Sequence, residues 1–160
     1  MRIAWSIIAC ATMGIASAAQ AGEQGTTTGM VSFGGFKGEA RTIKPGVTIW
    51  NGTFVGIGVS DTRRGILHQS AWECDAEVVN MNGTVYKADG FCHLTDPDGD
   101  TVNLVFERTD LPGGTAELKT KGTYISGTGK YAGITGNYYF SCKSKGADLC
   151  MATGGDYKTQ

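Results

Sequence analysis

Proline, histidine and net charge are all scarce in this sequence. It has three prolines and two histidines among 160 residues, and 14 basic side chains balance 15 acidic ones. A net charge of −1 leaves no electrostatic footprint for nucleic acid and no polybasic membrane patch. His68 and His93 stand apart from any ligand-like cluster, and no cysteine pair has Cys-x-x-Cys spacing. No metal and no cofactor are therefore expected. There is no Gly-x-Ser-x-Gly elbow and no histidine set beside a nucleophile. No stretch has a convincing helical period, and beyond the N-terminus no apolar run is long enough for a transmembrane helix. What remains is a chain of short alternating segments and 25 glycines without a Gly-X-Y period, which points to many turns and an all-β fold.

Residues 1–21 read as a secretory signal. Arg2 is a short positive region, Ile3 to Ala16 is apolar but too short to span a bilayer, and Ala19-Gln20-Ala21 fits a small-residue cleavage site. Ala16-Ser17-Ala18 is a second cleavage candidate. Ile7-Ile8-Ala9-Cys10 resembles a lipoprotein box but comes too early to have a hydrophobic region before it. The expected mature protein is one domain, residues 22–160, in the periplasm or the medium. Cleavage removes Cys10 and leaves Cys74, Cys92, Cys142 and Cys150, an even count that in an exported chain reads as disulfides. Three connectivities exist. Spacing favours Cys74–Cys92, symmetric about Gly83, and Cys142–Cys150, symmetric about Gly146, each pair directly across a hairpin.

The strands follow from alternation and turns. Gly22–Gly29 is polar and expected to fray. Met30–Phe36 and Glu39–Ile43 are two short strand candidates, and Pro45-Gly46 is a turn. Val47–Val55 is rich in β-branched and aromatic residues, and Gly56–Val59 invites a bend or bulge. Asp61–Gly65 reads as a solvated polar loop. From Ala71 to Val79, Trp72, Cys74, Ala76 and Val78 share one face, and Glu73, Asp75 and Glu77 share the other. Pairing Cys74 with Cys92 sets Ala76 opposite Gly90 and Val78 opposite Ala88. A hairpin centred on Asp98 then sets Leu94 opposite Val102, Cys92 opposite Leu104 and Gly90 opposite Phe106. One register keeps the inner face apolar across three strands.

On this register Arg108 points inward at the strand's end. It either snorkels from the rim or meets a polar partner, because an unpaired buried charge is costly. Asp96, Asp98 and Asp100 suggest calcium, but Thr101 stands where an EF-hand loop needs glycine, and Pro97-Asp98-Gly99 is ordinary turn chemistry. Leu111–Gly114 is a further connection. In Glu117–Ile125, Leu118, Thr120, Gly122 and Tyr124 share a side. In the last hairpin Ala152 is expected opposite Phe140, and Gly154 opposite Tyr138. Asn51-Gly52-Thr53 and Asn82-Gly83-Thr84 are sequons that read first as bend and turn residues.

Between Glu117–Ile125 and Asn137–Lys143 lies Ser126–Gly136. Gly127, Gly129, Gly133 and Gly136 allow a compact, shaped connection, and Tyr131 can cover an open end of the sheet. Phosphate binding does not fit, since the Walker spacing and a following helix are both missing. Gly127–Gly136 with the strand Asn137-Tyr138-Tyr139-Phe140 resembles the late hairpin of the allene oxide cyclase and dirigent-like barrels, over about twenty residues. The resemblance implies an antiparallel up-and-down β-barrel of about eight strands, calycin-type, and a homo-oligomer, often a trimer. It supplies no catalytic residue, because the matched stretch does not place the catalytic acids of that family on this chain.

The expected function is non-enzymatic binding of a small apolar molecule inside the barrel, which eight strands can accommodate. Trp72, Phe106, Arg108, Tyr124 and Tyr138 are the candidate contacts. Two alternatives stay open. One is a cofactor-free isomerase or cyclase that steers its substrate by orientation. The other is a structural or partner-binding barrel filled by its own side chains.

Overall fold

The computed structural model describes residues 22–66, 68–110, 117–144 and 148–160. Its strands run β1 Gln24–Lys44, β2 Val47–Ser60, β3 Ala71–Met81, β4 Thr84–Thr95, β5 Thr101–Arg108, β6 Glu117–Gly127, β7 Thr135–Ser144 and β8 Asp148–Lys158. Each strand pairs antiparallel with the next, and β8 pairs with β1, so the up-and-down sheet closes on itself. Closure removes the unpaired edges that make an open sheet prone to association. The proposed signal segment, the Leu111–Gly114 connection and the Gly146 turn lie outside the described residues.

Local chemistry places the turns. Asn82 and Gly83 both take positive φ, 52° and 82°, as a two-residue hairpin turn requires. The Asn80 side-chain oxygen accepts the Gly83 N–H at 2.9 Å. The expected central register is present: Cys74 faces Cys92, Ala76 faces Gly90, Val78 faces Ala88, and Leu94, Cys92 and Gly90 face Val102, Leu104 and Phe106. Both expected disulfides form, Cys74–Cys92 with Cα atoms 4.1 Å apart and Cys142–Cys150 with Cα atoms 4.0 Å apart.

Four expectations are corrected. Gly22–Gly29 is not a frayed arm, because β1 begins at Gln24 and pairs with Lys158, while Gly25 pairs with Tyr157. Met30–Phe36 and Glu39–Ile43 are one strand, interrupted by a register shift between Gly34 and Lys37 that contains Gly35 at φ 63°. Such a bulge re-aims the side chains beyond it. No bulge falls at Gly56–Val59; β2 keeps an unbroken register with β3 through Ile57. Finally, Tyr138 faces Gly155 rather than Gly154, because a register shift between Tyr139 and Phe140 moves the pairing by one, while Ala152 does face Phe140.

The core is the barrel interior. At one end it is plugged by Ile66 from the β2–β3 connection and by Tyr131 and Ile134 from the β6–β7 loop, all buried. A short 3-10 turn, Gly129–Tyr131, carries Tyr131 inward, and the Gln160 N–H bonds the Ala132 carbonyl at 3.1 Å. Lys130 clamps this plug to the β4–β5 turn through Asp96 and Asp98. At the opposite end, which carries the Pro45–Gly46 and Asn82–Gly83 turns, the β1–β2 hairpin runs on past its contact with β8, which ends at Phe33. On that overhanging edge Lys37, Glu39, Arg41 and Lys44 are exposed, the usual guard of a strand without a neighbour.

Candidate functional site

The inward faces of β1 to β8 surround a void of about 120 Å³ below the overhanging hairpin. Its position follows from strand parity. Phe54 faces Cys74 and Trp50 faces Val78, so both rings of β2 turn to the interior. Phe36 joins them because the Gly34–Lys37 bulge swings it over the opening. Its ring lies 5.5 Å from that of Phe54 and 6.5 Å from that of Trp50. Phe33 packs edge-on against Phe54 at 5.1 Å and against Trp72 at 5.8 Å. Edge and offset contacts of this kind hold rings in fixed orientations.

The far wall is built on β3, β6 and β7. Tyr138 and Phe140 have centroids 4.6 Å apart, and Trp72 sits 6.2 Å from Tyr138 and 5.8 Å from Phe140. The Tyr138 ring lies across Gly122, its partner on β6; a methyl group at residue 122 would overlap it. Ala76, Val78, Ala88 and Leu118 line the rest, together with Cys92, Cys142 and Cys150 of the two disulfides. Thr120 is the other hydroxyl on the wall. Among the described residues no aspartate, glutamate, histidine, lysine or arginine lines the void. A larger hollow on the outer wall is a solvated groove bordered by Asp75, Glu77, Asp89, Glu107 and Lys121.

Of the five candidate contacts, the structure brings together Trp72, Phe106 and Tyr138. Tyr124 lies deeper, next to Tyr138 at 5.7 Å, and its hydroxyl shares a 2.8 Å hydrogen bond with that of Thr27. Burial raises the Tyr124 phenol above its ordinary range, and the Thr27 bond offsets this only in part. Arg108 is at the rim, not in the void. Its Nε donates to Asp110 Oδ1 at 2.8 Å and its Nη1 donates to the Val85 carbonyl. The guanidinium is thus the inward-leaning charge of the sequence, held by a partner two residues on. Burial works to raise the Asp110 carboxyl, yet Arg108 and the Lys119 N–H outweigh it and hold it below its usual value.

The glycine loop positions the plug and takes no part in the void. Gly129 and Gly133 have φ of 51° and 67°, and Gly127 and Gly136 sit where a side chain would strike backbone. Sequence reasoning missed Phe33, Phe36, Trp50, Phe54 and Phe140 as wall residues. Extending the disulfide register one strand further, from β3 to β2, would have found Phe54 and Trp50. Nothing in the sequence marks Phe36, whose inward turn depends on the bulge.

Among known proteins, no family model matches the chain and no curated protein is significantly similar to it. Fold and site define it as a closed eight-stranded antiparallel barrel with two cross-strand disulfides and a small ring-lined interior void.

Proposed function

We propose that this is an exported binding barrel that holds one small apolar ligand in the interior void. The carrying observation is the composition of the wall: eight aromatic rings, from Phe33, Phe36, Trp50, Phe54, Trp72, Phe106, Tyr138 and Phe140, around about 120 Å³ of space. A mostly apolar void of this kind leaves its lining atoms short of contact partners, and a matching apolar guest restores those contacts. The size favours a single ring or the end of an acyl chain over a larger molecule. A wall without carboxylates or imidazoles favours binding over acid–base turnover. A kinship with the allene oxide cyclase and dirigent-like barrels is part of this reading, supported by the glycine-rich hairpin and the closed up-and-down barrel. Two disulfides suit an oxidising compartment, in keeping with cleavage near Ala21 and release to the periplasm or medium. A homo-oligomer would use the outward apolar stripe of Met30, Val55, Ile57, Val59 and Met151, all exposed.

The test is titration of mature protein with benzene and cyclohexane, read by tryptophan emission and thermal unfolding. Trp50 and Trp72 both line the void, so occupancy should change their emission saturably. At ten times Kd the ligand adds about 1.4 kcal/mol, or roughly 4 °C in Tm. No saturable change with either ring, together with an unliganded native mass for protein taken from its exporting cells, rejects the binding reading.

A further inference from the structure

The interior hydroxyls of this barrel are paired almost everywhere. Tyr124 shares a hydrogen bond with Thr27, Tyr157 donates to Glu23 Oε1 at 2.9 Å, and the Trp72 indole N–H donates to Ser70 at 2.8 Å. Two hydroxyls on the void wall break the pattern, those of Thr120 and Tyr138, and Tyr138 is the more buried. It is 2 % exposed, it lines the void, and its hydroxyl has no hydrogen-bond partner among the described residues. An interior hydroxyl without a partner in the chain is free to hydrogen-bond a guest in the void, which recovers an interaction the protein does not supply. Gly122 leaves room for the ring to lie across β6, and Phe140 and Trp72 fix its plane.

We propose that the Tyr138 hydroxyl is the polar anchor of the void, donating a hydrogen bond to a neutral, single-ring ligand that carries one acceptor atom. This rests on the binding reading above and names its ligand class: ring nitrogen heterocycles, aryl aldehydes or ketones, and phenols. Three observations set the class. The void, about 120 Å³, is somewhat smaller than the apolar cavity of about 150 Å³ that admits benzene, which limits a guest to one ring. Burial, with Tyr124 adding to it, raises the Tyr138 phenol well above its ordinary range, so the group keeps its proton and donates. Among the described residues no cation lines the void to balance an anionic ligand, and the Arg108 fork is engaged by Asp110 and the Val85 carbonyl.

Benzene and pyridine have the same shape and differ in one acceptor. Dissociation constants for both are measured on the mature chain and on Tyr138→Phe, at a pH where pyridine is neutral. The expected result is that the variant binds benzene within twofold of the parent and pyridine on the order of tenfold more weakly. A second readout needs no variant: the Tyr138 Cζ resonance of the parent protein shifts with pyridine and far less with benzene. Equal losses for the two rings, or a Tyr138 resonance that answers both alike, overturn the anchor and leave the binding reading standing. If neither ring binds the parent protein, both fall.

Discussion

Gly122 and Tyr138 show how one missing side chain shapes the interior. The two residues face each other across β6 and β7, and the phenol ring occupies the space a side chain at residue 122 would take. Tyr138 is packed by Trp72, Tyr124 and Phe140, so the void is the one side toward which its ring can yield. Gly122→Ala is therefore an overpacking substitution. It should lower stability by about 1–3 kcal/mol and displace the ring toward the void, weakening benzene binding as well. Urea unfolding and the benzene titration check both effects, and an unchanged midpoint would show that the ring has slack the structure does not show. Arg108 teaches a second lesson at this scale. Its inward lean was legible from parity, but its partner Asp110 lies beyond the end of β5, where alternation stops carrying information.

At the scale of elements, the two disulfides tie hairpins that already pair by backbone. Cys74–Cys92 closes 18 residues of chain and Cys142–Cys150 closes 8. Their main effect is expected in the unfolded chain, which they keep compact, with loop-closure values of about 3 and about 2.5 kcal/mol respectively. Replacing Cys74 and Cys92 together by alanine should lower stability by roughly that first amount and raise the urea m-value, because the unfolded chain then exposes more surface. An m-value unchanged within error would place the loss in the native state instead, where Cys92 also lines the void. The β1–β2 hairpin is the other informative element. Its two predicted pieces are one strand because a bulge absorbs the break, and that bulge delivers Phe36 over the void. A glycine pair such as Gly34-Gly35 is compatible with either a loop or a bulge, and only the neighbouring strand decides between them.

For the whole molecule, the barrel is held at both ends by paired carboxylates, one buried and one part-buried. Asp96 ties the plugged end: it accepts N–H bonds from Asp98 and Asp100 and pairs with Lys130. Burial works to raise its carboxyl, but Lys130 and the two backbone N–H groups prevail and hold it below its ordinary value. Asp110 is lowered in the same way at the other rim. A carboxylate whose folded value is depressed stabilises fully above the unfolded value, about pH 4, and that contribution is lost as pH falls through the lower folded value. Stability should therefore fall steadily below about pH 4. Asp96→Asn should cost about 1–2 kcal/mol at neutral pH, and its deficit should shrink toward pH 2, because the parent's carboxylate is then protonated too. Urea unfolding across that range checks this; parallel curves for the two proteins would assign Asp96 a purely steric role.

The sequence by itself determined the all-β class, the parity of every central strand, the Asn82–Gly83 turn and both disulfides. These are local properties: side chains alternate with period two, turns need particular backbone angles, and a cysteine pair symmetric about a turn meets across it. Tertiary structure alone decided where the void lies and which rings face it, how Phe36 turns inward, why Tyr138 meets Gly155 and not Gly154, and that Tyr138 is left without a partner. A void is the difference between the space enclosed by the closed wall and the volume of the side chains pointing into it. Both that enclosed space and the bulges that let the wall close are set by the whole ring of strands at once, so neither can be read from one strand and its nearest turn.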